Sequence, residues 1–383
     1  MPPFDAAVTA IAAQARDRAD EIERARSLPE DLGQAMARAG IFRMLVPECH
    51  QGLELHPSAF VNALTELGHA EAAAGWCAMV GSTTGLLAAS LPEHWSHAIY
   101  GEHPDTITCG VTAPLGKAVA DGDGWRVNGR WPFGSASRNA EWICGGCFIV
   151  DEDGQPAPGR HGPPDVTLMY FHRDDVRIHD NWHVSGLKGT GSSDFEVADV
   201  HVPKDRCVTM GSRPRVQRPL YHFPTLGLLA MGVASVALGI GRRALDELVE
   251  LAGGKVPTGS RRRLADRATV QADAGRADAA LKAADAFLHA AIDRAWIPAS
   301  AGKPLGVEHK AELRAAAAHA TWAAVDAVDR AYHAGGGTSI YQQSALQRCF
   351  RDVHVATQHI MVAQPIFELT GRVRLGLEPG GLL

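Results

Sequence analysis

The chain has 383 residues, of which 46 % are hydrophobic and 21 % are charged, as is usual for a globular protein. Its net charge of −6 argues against a nucleic-acid partner, which would favour a basic face. The start, MPPFDAAVTA, lacks the basic segment and apolar run of a secretory signal. We therefore expect a cytoplasmic protein whose seven cysteines are reduced.

Residues 1–105 have a helical pattern and are predicted to form an all-α domain. Apolar residues recur at helical spacing in residues 7–25. The next helix has Pro29 near its start and Gly40 at its end. Residues 56–91 predict two further helices with a break at Gly75, and Pro92 opens a short one.

Residues 106–210 have strand-like runs separated by Gly, Pro and Asp, which predicts an antiparallel, β-barrel-like domain. Two Asp-Gly steps at residues 121–124 predict a hairpin turn. The Cys144–Cys147 pair lies within an apolar strand-like run and lacks a second pair at zinc-site spacing. We interpret these cysteines as structural.

Residues 211–383 predict a four-helix bundle with helices over 225–251, 264–296, 308–333 and 341–369. We expect Pro365 to bend or end the last helix. The apolar run from Leu226 to Ile240 is shorter than the roughly 20 residues of a membrane span and is predicted to be a core helix. The fold class is α+β, in the order α, β, α.

Two segments of the β region and one of the last helix are distinctive. The first two are GRWPFGSASRNAEW, residues 129–142, and NWHVSGLKGTGSSDFEVADVHVP, residues 181–203. The third is RDVHVATQHI, residues 351–360. Together with the α-β-α order, they resemble the acyl-CoA dehydrogenase superfamily over essentially the whole chain. The resemblance implies a flavin between the β domain and the bundle, in a homotetramer.

Two departures from the dehydrogenase pattern point to another branch. Ala113 stands where a glutamate is common, and no carboxylate stands at about Ile360, where many relatives place the catalytic base; His359 is adjacent. This resembles the two-component monooxygenases, which receive reduced FMN or FAD from a separate flavin reductase. Reaction with O2 gives a C4a-hydroperoxide that hydroxylates a small aromatic or heteroaromatic substrate.

The resemblance also implies roles for individual residues. Ser135 would lie beside flavin N5, and His359 would act as acid or base, since histidine titrates near neutrality. The remaining expected flavin contacts are Trp131, Thr112, Thr190, Gly191, Ser192, Arg263 and Gly336. Most of these residues have an ordinary structural alternative. His359 is alternatively a core histidine, Ser135 a turn serine and Trp131 a buried strand tryptophan. The alternatives are a plain β-turn for residues 190–192, a solvated helix start for Arg263 and a helix stop for Gly336.

The remaining residues of the last segment are expected to be structural. Arg351 and Asp352 predict a salt bridge, and His354 predicts a surface or interface residue. His354 and His359 lack the i, i+4 spacing of a helical metal site, so no metal is expected.

Three other functions remain open at this stage. One is an acyl-CoA dehydrogenase or oxidase with its base elsewhere, and another is an N-oxygenating flavoenzyme. The third is a scaffold that binds flavin or another ligand without turnover. A further histidine common in phenol hydroxylases of the branch is replaced by the Ser82–Thr84 segment. This argues against a simple phenol and is compatible with an indole-type or polyketide-derived aromatic, and also with an N-oxygenation.

Overall fold

The computed structural model describes residues 3–159 and 162–383. Its amino-terminal part is helical, as predicted, with helices α1 Phe4–Asp17, α2 Ala19–Ala25, α3 Glu30–Arg38, α4 Pro57–Ala70, α5 Ala72–Gly85 and α6 Glu93–Ser96. The predicted break at Gly75 is wrong, because the chain leaves the helix at Glu71, which caps α5 by accepting from the Ala73 N–H at 3.3 Å. Gly75 instead lets α5 approach α4, since an added Cβ would lie 2.8 Å from the Gly68 nitrogen.

Seven strands form one sheet in the order β5-β6-β2-β1-β3-β4-β7. They are β1 Thr108–Asp121, β2 Gly124–Trp131, β3 Trp142–Val150, β4 Thr167–His172, β5 Arg177–Ile178, β6 Phe195–Pro203 and β7 Cys207–Thr209. The predicted hairpin is confirmed: Asp121 pairs with Gly124, and Gly122 takes the left-handed φ of +60° that the turn requires.

The sheet is mixed: the prediction of an antiparallel domain holds for five of its strand pairs and is wrong for the pair of β1 and β3. On one side β1 pairs with the antiparallel strand β2, and on the other side it pairs with the parallel strand β3. Residues 132–141 therefore cross from one side of β1 to the other. Periodicity shows which residues alternate along a strand and not which strands become neighbours, so this crossover was not predictable. It carries Ser135.

The carboxyl-terminal helices are α7 Pro219–His222, α8 Thr225–Gly254, α9 Ala268–Ser300, α10 Val307–Gly335, α11 Ala345–Ala356 and α12 Pro365–Arg374. The first three predicted bundle helices match α8, α9 and α10 closely. The predicted fourth helix is wrong in its extent: α11 ends at Ala356, and Pro365 begins α12 at the position where its missing N–H is harmless. His359 consequently lies in an irregular turn.

Two helical stretches, Ala72–Ala89 and Thr225–Gly254, are long and apolar enough to cross a membrane. About four fifths of each stretch's most apolar window is buried inside the protein. That is the arrangement of a core helix, as predicted for the run from Leu226 to Ile240.

The segment from Asn181 to Ser193 connects the sheet to the helices. An added Cβ on Gly186 would collide with the backbone carbonyl of Arg351 in α11. An added Cβ on Gly189 would collide with the side chain of Ile22 in α2 and lie 3.0 Å from Ala73 in α5. These two glycines let a loop of the β domain lie directly against three helices.

Candidate flavin site

A chain of buried hydroxyl groups joins the crossover to the glycine-rich loop. The indole Nε1–H of Trp76 in α5 donates to Ser135 Oγ at 3.2 Å. Ser135 Oγ lies 2.6 Å from Ser192 Oγ, which lies 2.6 Å from Thr190 Oγ1. Thr190 Oγ1 donates to the Leu187 carbonyl at 2.8 Å. Three of the predicted flavin contacts are thus brought into a single hydrogen-bonded chain.

The backbone around this chain is held in unusual conformations. Phe133, Ala136 and Leu187 have φ values of +64°, +63° and +50°, and Gly191 has +55°. A positive φ is uncommon for residues other than glycine and persists only where the surroundings enforce it. The Ala136 N–H donates to the Thr190 carbonyl at 2.9 Å, which ties the two turns together.

His359 lies at the rim of the same region. Its ring meets the Trp76 indole edge-on, with centroids 5.7 Å apart and planes at 70°. The Met361 backbone N–H donates to His359 Nδ1 at 3.2 Å, so Nδ1 is unprotonated and the neutral ring carries its proton on Nε2. His359 is half-buried.

Loss of hydration, followed by the positive charge of Arg314, lowers the pKa of His359 to about 4. The expectation of a histidine that titrates near neutrality is therefore not met by the protein alone. At neutral pH the imidazole is a hydrogen-bond donor at Nε2 and a poor base.

The turn that carries His359 is fastened to α10. Arg314, only 2 % exposed, donates to the carbonyls of Met361 at 3.5 Å and Leu382 at 3.2 Å. The Trp322 indole donates to the Val362 carbonyl at 3.1 Å. The Met361 and Val362 carbonyls are ones that a continuous helix would have used itself, so these donors stabilise the irregular turn.

Arg351 and Asp352 are structural, although they do not form the predicted pair. Arg351 pairs with Glu23 of α2 at 2.6 Å. Asp352 is buried and accepts from the Leu187 N–H at 2.6 Å. His354 lies on the surface of α11 as predicted, with its Nε2 2.9 Å from Asp329 Oδ1.

Of the other predicted flavin contacts, Gly191 lies within the glycine-rich loop, and Trp131, Thr112, Arg263 and Gly336 lie elsewhere. Trp131 is fully buried, donates to the Gly146 carbonyl at 2.8 Å and stacks on Phe195. That is the position of a buried strand tryptophan. Thr112 is exposed on β1, and Gly191 lies in the loop, at a left-handed turn beside the Arg26 carbonyl.

Arg263 and Gly336 lie together at one end of the bundle. Arg263 pairs with Asp266 at 3.2 Å, ahead of α9. Gly336 follows α10 with a φ of +57° and open space around it. Lys255 links the two, because its carbonyl accepts from Leu264 and its Nζ donates to the Gly335 carbonyl. The described contacts do not join this end to Ser135.

The residues around Ser135 fit a flavin. Phe133 is 67 % exposed and meets Trp182 edge-on, which offers an apolar surface beside the hydroxyl chain. Ser137 Oγ of the crossover and Ser193 Oγ of the glycine-rich loop are buried without a hydrogen-bond partner among the described residues. An isoalloxazine has apolar faces and a polar edge, and this donor and acceptor set suits both.

Trp76 is the site residue that sequence reasoning missed. It belongs to the GWCAMVGSTTG segment, which drew attention only for the Ser82–Thr84 positions. The hydroxyl groups there are occupied, since Ser82 donates to the Ile41 carbonyl and Thr84 to the Val80 carbonyl. The signal in the sequence that could have indicated this role was a single tryptophan within a helix made mostly of small residues.

Within residues 3–159 and 162–383, no group of three or more His, Cys, Asp or Glu side chains could hold a metal ion. The same residues contain seven free cysteines, and Cys144 and Cys147 are both buried. Burial raises the pKa of each of these two thiols to about 12.

Known proteins support the assignment that this geometry suggests. Residues 4–95 match the acyl-CoA dehydrogenase N-terminal domain, and residues 231–364 match the acyl-CoA dehydrogenase C-terminal domain. The chain belongs to the acyl-CoA dehydrogenase superfamily.

Individual relatives narrow the assignment within that superfamily. The chain is 34 % identical to the indole-3-acetate monooxygenase of Pseudomonas putida, over 99 % of this chain and 94 % of that protein. It is 29 % identical to the oxygenase component of the FADH2-dependent resorcinol hydroxylase of Rhizobium sp., over 98 % and 94 %. The structure of XiaF from Streptomyces sp., in complex with FADH2 and glycerol, superposes with a TM-score of 0.91 at 25 % identity, covering 98 % and 97 %. The chain is an oxygenase component of the flavin-dependent, two-component monooxygenase branch.

Proposed function

We propose that this protein hydroxylates a small aromatic or heteroaromatic substrate with O2 and reduced FMN or FAD. The observation that carries the proposal is the meeting of Ser135, Trp76 and His359 at one place between the sheet and the helices. The two relatives described above are an indole-3-acetate monooxygenase and a resorcinol hydroxylase. Ser82 and Thr84 direct their hydroxyl protons to backbone carbonyls, so they do not replace the histidine of the phenol hydroxylases, and this supports an indole-type substrate over a simple phenol.

The residues of the site would bind the flavin and position the substrate. Bound reduced flavin supplies the electrons that activate O2 for insertion into the substrate. Ser135 would fix the polar edge of the ring beside Phe133, and His359 would donate a hydrogen bond from Nε2 to a substrate or cofactor oxygen. The ring of Trp76, which contacts both residues, would fix the position of His359 relative to Ser135. Thr112, Arg263 and Gly336 would contact more distant parts of the flavin.

A separate flavin reductase would deliver the reduced cofactor as a transient partner. We further propose a homotetramer in the cytoplasm. Apolar side chains stand exposed along α12 and the tail that follows it, namely Phe367, Leu375, Leu377 and Leu382, and contact with other copies would bury them. Light scattering would test the assembly, and cell fractionation would test the compartment.

The reaction is tested with reduced FMN or FAD from any flavin reductase, 18O2 and a panel of indoles and phenols. Incorporation of one 18O atom into an aromatic product is the expected result. If oxidised FAD on the protein is instead bleached by an acyl-CoA, and no labelled product forms, the protein is a dehydrogenase.

A further inference from the structure

The buried hydroxyl chain has a direction, which follows from its two ends. The oxygens of Thr190 and the Leu187 carbonyl are 2.8 Å apart, a distance that requires a proton between them, and only Thr190 has one. Thr190 must then accept from Ser192, and Ser192 must accept from Ser135, because each hydroxyl group has a single proton. At the other end, the indole of Trp76 can only donate.

This direction decides what Ser135 can offer to a ligand. Its proton is directed to Ser192, and one of its two lone pairs receives the Trp76 N–H. One lone pair remains. Ser135 is 5 % exposed, so that lone pair is its single open position, and a ligand atom that binds there must be a hydrogen-bond donor.

We infer that Thr190 is a specificity-determining residue that makes Ser135 an acceptor and so selects reduced over oxidised flavin. The inference rests on the proposed function. N5 of a reduced isoalloxazine carries a hydrogen and donates, whereas N5 of the oxidised ring has only a lone pair and would face the lone pair of Ser135. Thr190 is 1 % exposed and acts through Ser192 and Ser135 without touching the cofactor.

The chain is anchored firmly enough to hold this direction. The Leu187 carbonyl also accepts from the Trp182 indole at 3.3 Å, and the Leu187 N–H donates to Asp352. Leu187 itself is in a left-handed turn, with the backbone of α11 directly against Gly186. The terminal acceptor therefore cannot turn away from Thr190 without moving α11.

The experiment measures dissociation constants for oxidised and for anaerobically reduced FMN and FAD. The variants are Thr190→Val, which removes the proton that ends the chain, and Thr190→Ser, which keeps it. Ser192→Ala breaks the chain at another link and replaces Thr190→Val if that variant does not fold. Thr65→Val is the matched control, because the Thr65 hydroxyl is buried and donates to the Val61 carbonyl in α4 at 2.9 Å.

Wild type, Thr190→Ser and Thr65→Val should prefer reduced flavin by at least about tenfold, the effect of one well-placed hydrogen bond. Thr190→Val and Ser192→Ala should lose most of that preference, because Ser135 becomes free to donate outwards. Equal weakening of both flavin forms in Thr190→Val, with the ratio kept, would overturn the inference. So would a wild type that binds both forms equally. A wild type that binds neither form refutes the proposed function itself.

Discussion

The indole of Trp76 contacts two site residues at once: its ring and the ring of His359 meet in a T-shaped arrangement, and its N–H donates to Ser135. Trp76 is buried, and α5, which carries it, begins at Ala72, directly after its N-cap residue Glu71. The spacing between the sheet and the turn after α11 therefore depends on one rigid aromatic side chain.

Replacing Trp76 with Phe should separate these two functions. The ring contact with His359 is kept, while the N–H to Ser135 is lost, which costs about 1 kcal/mol of stability. We expect turnover to fall about tenfold through misplacement of Ser135. Product formation and thermal unfolding measure the two effects. Trp125→Phe is the control, since the Trp125 indole donates to the Lys204 carbonyl far from this site, and a loss of turnover as large as that of Trp76→Phe would contradict the assignment.

The two histidines of the carboxyl-terminal segment should differ in importance. His359→Ala removes a neutral donor from the site and should lower turnover about 100-fold. His354→Ala removes only a partner of Asp329 at the surface, where ion pairs contribute little. Steady-state turnover of the two variants makes the comparison. Similar losses in both would show that His359 is not a catalytic residue.

Stability should depend on pH through Glu71. Burial, and next the charge of Asp352, raise the pKa of Glu71 to about 8. The folded protein then holds a proton that the unfolded chain releases at a pKa of 4.5, so stability is lost as the pH rises from about 4.5 to 8. In Glu71→Gln the side chain is neutral at every pH. The free energy of unfolding of this variant should therefore fall less than that of wild type, by about 1–3 kcal/mol, over the same pH range.

Urea unfolding at pH 5 and pH 8 measures this difference. Glu30→Gln, at an exposed position, should behave as wild type. A steeper fall in stability for Glu71→Gln than for wild type would reverse the sign and refute the argument.

Asp352 should matter as an acceptor more than as a charge. Asp352→Asn keeps an oxygen for the Leu187 N–H and should cost less than about 1 kcal/mol, while Asp352→Leu leaves that buried N–H unpaired at a cost of about 1–3 kcal/mol. Hydrogen exchange of residues 183–193 should accelerate only in Asp352→Leu. The control is Asp329→Leu, and equal acceleration in it would indicate general loosening of the bundle.

Gly186 should tolerate no side chain. Gly186→Ala brings a Cβ against the Arg351 carbonyl, so the loop or α11 must move, at a cost of about 1–3 kcal/mol. Gly253→Ala is the control, because nothing lies near its added Cβ in α8, and alanine there should be neutral or slightly stabilising. Denaturant midpoints decide between them. Equal stability of the two variants would mean that the close approach is unimportant.

Local pattern was sufficient for most of the helices and for the Asp-Gly hairpin, because these depend on residues close in sequence. The end of α11 was not predictable in the same way. There the Thr357 hydroxyl donates to the His354 carbonyl, and His359 accepts from its own backbone two residues on, and such local bonds compete with a helix.

The hydroxyl chain was predictable only in part. Ser135, Thr190 and Ser192 were named from a family resemblance, but their mutual bonds join residues 57 positions apart. Trp76 enters from a third part of the chain. The crossover that carries Ser135 results from the parallel pairing of β1 with β3. The hydrophobic periodicity of the sequence does not indicate which strands pair. The domain boundaries at 105 and 210 remain predictions, although all seven strands lie between them.

The contact between Gly186 and the backbone of Arg351 has a practical consequence for building chimaeras of this protein with its relatives. A loop of the middle domain and a helix of the bundle, about 165 residues apart, meet there without side chains to absorb a mismatch. Residues 181–193 and α11 therefore form one exchangeable unit, and a crossover point placed between them would separate surfaces that were shaped for each other.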